Sequence, residues 1–264
     1  MDDITYRAVK ILKEVLLIAV EDKRHSSRLL QKFDIKTSLL AYHDHNEQVQ
    51  KDKIIGVLAS GKDVALISDA GTPLISDPGY HLIKAIHYLG FKVVPVPGAC
   101  ALIAGLSVAG LPSDRFVFEG FLPAKSSGRI VRLQSVREET GTLIFYEAPH
   151  RLLNCLNDMR DVLGADRTVV LARELTKTFE TIKKMLLGDM CSWVCSDLNQ
   201  QRGECVLLVS GCVVSSDDPL SLESLRILKL LLDEVPLKRA VALTSEITGQ
   251  RKNLLYQAAL KWRE

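Results

Sequence analysis

The sequence predicts an α/β fold of two α/β domains followed by a helical tail. Three observations carry this reading. Short apolar runs alternate with segments of helical spacing, glycine- and proline-rich loops follow the apolar runs, and a polar linker, "SSDDPLS", leads into helical spacing alone. With 264 residues the chain is long enough for a sizeable core.

The elements follow in order. "ITYRAVKILKEV" places Ile4, Ala8, Ile11, Leu12 and Val15 at helical spacing, and "LLIAVED" is a short buried strand. "SRLLQKF" and "VQKDKIIGVLASG" read as helices, the second closed by Gly61. "DVALIS" is a strand, "HLIKAIHYLG" a helix, "FKVVPVPG" a strand and "CALIAGLSVAG" a helix of small residues. This rhythm predicts a mostly parallel sheet covered by helices, over residues 1–111. From Pro112 the pattern turns β-rich: "RFVFEGF", "GTLIFYEAP", the helix "RLLNCLNDMRDVLG", then the strands "TVVLARE" and "ECVLLVSG", forming a second domain over 112–214. The tail, 215–264, holds three helical segments, with Pro236 at a helix start and Gly249 at a helix stop. It reads as a helical hairpin packed on the second domain, with a helix-turn-helix as the competing reading.

Composition narrows the class. Hydrophobic residues make up 47% and charged residues 25%, the balance of a soluble globular chain. No apolar run is long enough to span a membrane, and "MDDITYRAVK" is not a secretory leader. The net charge of +2 excludes neither nucleic acid nor a small ligand. Six cysteines without CxxC or zinc spacing read as thiols of a reducing cytoplasm, and no metal site is expected.

In open α/β sheets ligands gather at the carboxyl ends of the strands. Three loops qualify: "EDKRHS", "SDAGTPLISDPG" and "PVPGACA". Gly71, Gly79 and Gly98 allow close approach to the main chain, and Pro73, Pro78, Pro95 and Pro97 stiffen it. Each loop alone suits a tight turn; two on neighbouring strands suit a ligand site. The phosphate-loop and dinucleotide signatures are absent, since "GLSVAG" has the wrong spacing. Asp69 and exposed carbonyls favour a small uncharged or cationic ligand.

The segments "LIAVEDKRHSSRLL", "YHDHNE", "VALISDAGTPLISDPGY", "VVPVPGACALIAGLSVAGLPSDRFVFEGFLP", "TLIFYEAPHRL", "VVLARELTKTFE" and "RGECVLLVSG" occur in order along nearly the whole chain. Together they resemble the 16S ribosomal RNA cytidine ribose 2′-O-methyltransferases, tetrapyrrole-methylase-like (class III) enzymes that use S-adenosylmethionine. The resemblance implies the donor in a cleft between two α/β domains, a homodimer, and 16S rRNA of the small ribosomal subunit as partner. It assigns the donor site to Ser68, Asp69, Ala70, Gly71 and Thr72, to Pro97, Gly98, Ala99, Cys100 and Ala101, and to Tyr146 and Glu147, with "ARELTK" closing the cleft. Members of that family carry a first strand and a "TPIGNL"-like loop before the segment matching "DDITYRAVKIL". Met1 stands at that point here, so weaker donor binding and lower stability than in a longer relative are expected. The alternatives are a class III methylase of a tetrapyrrole or other small molecule, and an RNA-binding module without catalysis.

A ribose hydroxyl is a poor nucleophile and gains from a positioned base. Glu21, His25, Glu174 and Lys177 are the catalytic candidates, with Asp22, His43 and His45 also in reach of the role. "EDKRHS" equally suits a surface helix cap, and "ARELTK" an ion-pair network. For RNA contact the candidates are His43, His45, Lys125, Arg129, Arg132, His150 and Arg151, with the basic loop at 124–132 foremost. Lys238, Arg239, Arg251 and Lys252 add charge in the tail.

Overall fold

Three runs of four residues, β1 (Leu17–Val20), β2 (Ser38–Ala41) and β3 (Val64–Ile67), pair in parallel in the order β2-β1-β3. The computed structural model describes residues 1–43, 46–213, 220 and 222–262. Met1–Cys212 form one compact unit and Val213–Glu264 a second. β1 is central and both of its faces are covered, so its side chains alternate between two cores. Ile18 and Val20 pack with Leu12 of α1 (Tyr6–Glu14) and Leu30 of α2 (Lys23–Lys32). Ala19 packs with Ile54 of α3 (Glu47–Ala59) and with Leu82 and Ile86 of α4 (Tyr80–Tyr88).

Caps set where these helices begin. Thr5 accepts the Ala8 N–H, and Asp22 accepts the N–H groups of Arg24 and His25. The segment 91–98, expected as a strand, joins neither sheet. Pro95 and Pro97 have no N–H to give a ladder, although Phe91 and Val93 still pack against the core. β2, which the sequence reading did not pick out, takes a place beside β1 instead.

The second sheet has five strands in the order β4-β5-β8-β6-β7. They are β4 (Phe116–Phe121), β5 (Thr142–Glu147), β6 (Thr168–Arg173), β7 (Thr181–Leu186) and β8 (Cys205–Val209). Only β4 and β5 run parallel; the other pairings are antiparallel. α5 (Ala101–Ala109), grouped with the first domain by sequence, packs on this sheet through Leu102, Leu106 and Ala109. Gly105 permits the approach, because a Cβ there would sit 3.3 Å from Leu208. The other face is covered by α6 (Ser126–Ser135), α7 (Leu152–Leu163) and α8 (Leu187–Ser196), around Leu133, Phe145, Leu156, Met159 and Met190. β7 and α8 are also additions to the sequence reading. The exposed Lys183 of β7 suits an edge strand, where lysine discourages further pairing.

The basic loop expected at 124–132 is largely the helix α6. Gly128 marks no loop: a Cβ there would lie 3.2 Å from Pro123, so it permits close packing. The second unit is also more than a hairpin. α9 (Leu222–Glu234), α10 (Leu237–Thr248) and α11 (Lys252–Lys261) enclose their own core of Leu228, Ala240, Val241, Leu255 and Ala259. Gly249, at φ 70°, caps α10 in the left-handed region and gives its N–H to the Ser245 carbonyl.

Candidate active site

Loops at the carboxyl ends of β1, β3, β4 and β5 meet around a cavity of about 440 Å³. Glu21 follows β1, and Asp69–Thr72 with Ile75–Asp77 follow β3. Cys100 and Ala101 open α5, Phe121 ends β4, and Tyr146–Pro149 end β5 and continue past it. β6 and its turn contribute Ala172 and Leu175, and the start of antiparallel β8 contributes Cys205 and Val206, with Glu204 just before it. A second opening, between Val15, Thr37 and Gly61, lies at the amino ends of the first sheet, the end such sheets do not use for ligands.

Local hydrogen bonds hold the loops in register. The Thr72 hydroxyl donates to the Ala99 carbonyl at 2.9 Å, tying the two glycine-proline loops together. The Ser68 hydroxyl donates to the Ala70 carbonyl at 3.1 Å. The Asp22 N–H donates to Asp69 Oδ1 at 3.2 Å, linking the loops after β1 and β3. Leu74 and Ser76 hold φ values of 72° and 67°, a left-handed backbone that non-glycine residues adopt at a cost.

Tyr146 joins the second sheet to α5. Its Oη accepts the Leu102 N–H at 3.1 Å, a helix-end donor that the N-cap residue Cys100 leaves unmet. Burial, then Cys100, pushes the phenol up to about 12. Phe118 and Phe121 pack edge-to-face on its ring at centroid distances of 4.9 and 5.7 Å. Glu147 is buried at 2% exposure, and its Oε1 accepts from Arg151 Nε at 2.7 Å and Nη2 at 2.5 Å.

Among the described residues five carboxylates line the cavity, Glu21, Asp69, Asp77, Glu147 and Glu204, and no lysine, arginine or histidine does. Ile75, Leu175 and Val206 supply apolar wall. This donor set suits a cationic ligand with an apolar part, and repels phosphate.

The cavity gathers Asp69, Ala70, Gly71, Thr72, Cys100, Ala101, Tyr146, Glu147 and Glu21 from the residues the sequence singled out. Ser68, Pro97, Gly98 and Ala99 do not line it; Ser68 and Ala99 brace the lining by the bonds above, and the Pro97 carbonyl accepts the Thr5 hydroxyl at 3.4 Å. His25 is exposed on the first turn of α2, and the cap reading of "EDKRHS" describes it. Glu174 and Lys177 stand beside the cavity in an ion-pair network. Lys177 Nζ is 2.9 Å from Glu174 and 3.1 Å from Glu204, and Glu174 accepts the Glu204 N–H at 2.8 Å. Burial opposes both charges, but these bonds outweigh it, so Glu174 lies below the usual carboxylate range and Lys177 above the usual amine range. Both shifts oppose a role as base.

Two RNA-contact expectations are corrected. Arg129 is buried at 3% exposure and pairs with Asp158 at 2.6 Å, because it shares the inward stripe of α6 with Leu133. Arg151 is spent on Glu147 and the Leu122 carbonyl. Arg132 is half exposed but pairs with Glu119 at 2.6 Å. His43 shares a turn with Asn46, whose Oδ1 accepts the His43 N–H at 3.0 Å. Lys125 and His150 are exposed, and His45 lies outside the described residues. Sequence reasoning did not select Ile75, Ser76, Asp77, Phe121, Glu204, Cys205 or Val206. Asp77 lay in the quoted loop, ahead of Pro78 and Gly79. Cys205 enters only through its pairing with Glu147 across β5 and β8. Among the described residues no group of three or more His, Cys, Asp or Glu could hold a metal ion, and no helix is long and apolar enough to cross a membrane.

Comparison with known proteins identifies the family. Residues 1–191 match the family described as Tetrapyrrole (Corrin/Porphyrin) Methylases, and residues 218–263 match the RsmI C-terminal HTH domain. The helix-turn-helix description replaces the hairpin expected for the tail. A relative from Pseudomonas aeruginosa, Ribosomal RNA small subunit methyltransferase I, is 62% identical over 262 residues, covering 99% of this chain and 93% of its own. The protein of that name from Escherichia coli O157:H7 is 54% identical over 259 residues, covering 98% and 90%. Among solved structures, the methyltransferase CobJ matches with a TM-score of 0.59 at 19% identity, covering 80% of this chain and 89% of its own. Cobalt precorrin-4 methyltransferase CbiF matches with a TM-score of 0.59 at 16% identity, covering 79% and 89%, and both likenesses speak for the fold alone. By both family matches and by near full-length identity, the chain is a methyltransferase and belongs to the ribosomal RNA small subunit methyltransferase I family.

Proposed function

We propose that this chain methylates the ribose 2′-hydroxyl of a cytidine in the decoding region of 16S rRNA, with S-adenosylmethionine as donor. It acts on the small ribosomal subunit in the cytoplasm, as a homodimer. The observation that carries the donor assignment is a cavity lined, among the described residues, by five carboxylates and no basic side chain, at the carboxyl ends of the strands. The names of the relatives support the RNA assignment.

When bound, the donor supplies a methyl group on a sulfonium cation, open to in-line attack. Asp69–Thr72 and Cys100–Ala101 hold it where loops of the three-stranded and five-stranded sheets meet, braced by the Thr72–Ala99 bond. Ile75, Leu175 and Val206 offer apolar surface to its purine. The carboxylates lower the energy of the positive charge and keep phosphates out, so the RNA inserts a sugar while its backbone stays at the rim. Lys125 and His150, exposed after the ends of β4 and β5, meet that backbone.

The test is calorimetric titration with S-adenosylmethionine, followed by methyl transfer to small subunits that lack the mark. One-to-one donor binding and one methyl per 16S rRNA, on a cytidine 2′-oxygen, are expected. A folded chain that binds no donor overturns the cavity assignment; donor binding with no transfer to 16S rRNA overturns the substrate.

A further inference from the structure

We propose that Asp77 is the general base of the transfer, taking the proton of the hydroxyl that is methylated. This rests on the reading of the cavity given above. Of the five carboxylates in its wall, four are engaged elsewhere. Arg151 holds Glu147 at 2.5 Å, Lys177 holds Glu204 at 3.1 Å, Asp69 accepts the Asp22 N–H, and Glu21 has an interaction of its own. The contacts of Glu147, Glu204 and Asp69 occupy carboxylate oxygens that a substrate hydroxyl would need.

Asp77 is placed differently. The groups that face it are the Ser68 hydroxyl, the Asp69 carboxylate and the Tyr146 phenol, none of them a cation. It is half-buried in the wall of the cavity. Burial pushes its carboxyl above the usual aspartate range; the nearby Ser68 hydroxyl opposes this and the charge on Asp69 adds to it. A base nearer the working pH is the more effective one.

The loop that carries it is held in a set shape. Leu74 and Ser76 sit at positive φ, and Ser76 Oγ rests where a Cβ on Gly120 would be only 3.2 Å away. Gly120 follows the register shift in β4, so that irregularity seats the loop on the second sheet. Holding a reactive group in place in this way removes part of the entropy cost of the reaction.

In the step, the ribose O–H bond breaks and its proton passes to Asp77. The freed electron pair forms the O–CH3 bond, while the departing thioether keeps the pair of the C–S bond. Tyr146, its Oη accepting from Leu102 and its proton held by the raised pKa, stays neutral beside the aspartate.

The test compares Asp77→Asn and Asp77→Glu with the wild type. We expect D77N to bind S-adenosylhomocysteine within about threefold of wild type while single-turnover methylation of small subunits falls about 100-fold or more, the range of a lost general base. D77E should retain more activity than D77N. A D77N rate within threefold of wild type, or a donor affinity that falls in step with the rate, overturns the proposal. Should D77N not fold, the wild-type pH–rate profile decides. A rate that drops below an ionisation above the usual aspartate range supports Asp77, and a flat profile between about pH 5 and 8 overturns it. No methyl transfer by the wild type itself marks failure of the broader reading, and this inference falls with it.

Discussion

Replacing Arg129 with methionine separates the two roles that sequence and structure give this residue. The guanidinium side chain is 4% exposed, bonds Asp158 at 2.6 Å, and donates to the carbonyls of Pro123 and Ala124 at 3.4 and 3.2 Å. In R129M, Asp158 keeps only the Ser126 hydroxyl. Removing one partner of a buried pair costs about 3–5 kcal/mol. The Asp158 side chain is 16% exposed and recovers some hydration, which places the loss near the lower bound, about 3 kcal/mol. For a unit of this size that lowers Tm by about 6–12 °C. Urea and thermal unfolding measure it, alongside RNA affinity at a temperature where the variant is folded. R129M/D158L should recover most of the loss, since an apolar pair of similar volume replaces a buried ion pair at little cost. A Tm shift under about 2 °C together with weakened RNA binding would refute the argument and return Arg129 to the RNA face.

Three further outcomes follow from the same geometry. Gly203→Ala puts a Cβ 2.4 Å from Glu174 Cγ at a φ of 79°, which drives Glu174 off Lys177 and the Glu204 N–H. The left-handed penalty and the overpacking together cost about 2–4 kcal/mol, read as faster hydrogen exchange in the 174–181 turn; unchanged exchange would count against it. Tyr146 has its folded pKa raised from 10.0 to about 12, so its contribution to stability is complete below pH 10 and is lost as pH rises through about 12. The stability difference between wild type and Y146F should shrink over that window, and a constant difference from pH 9 to 12 would contradict it. Asp77 also has a raised pKa, so its contribution is present below the unfolded aspartate pKa and lost at higher pH. D77N should therefore melt no lower than wild type at pH 7, and a clearly lower Tm would oppose this.

Much of the site was legible from local sequence. The apolar runs around Ile18 and Leu66 and the loops carrying Gly71 and Gly98 announced a parallel sheet with stiff loops at its carboxyl ends, because strand period and loop stiffness are local properties. The same holds for the Asp22 cap and the Gly249 stop, which act within one helical turn. Long motifs in order carried the family.

Tertiary structure decided what depends on partners distant in the chain. Two prolines kept 91–98 out of the sheet while β2 took a place there. Gly105 let α5 lie on the second sheet rather than the first. The order β4-β5-β8-β6-β7 set Cys205 opposite Glu147, and so brought Glu204 and Val206 to the cavity. A charged side chain is read from sequence as solvated, but Arg129, Arg132 and Lys177 are each paired with a carboxylate that folding brings to them. Local spacing set many of the helices and strands, the stiff loops and the family motifs; the pairing of distant segments decided which charges face the cavity, because pairing and burial are properties of neighbours in space and not of neighbours along the chain.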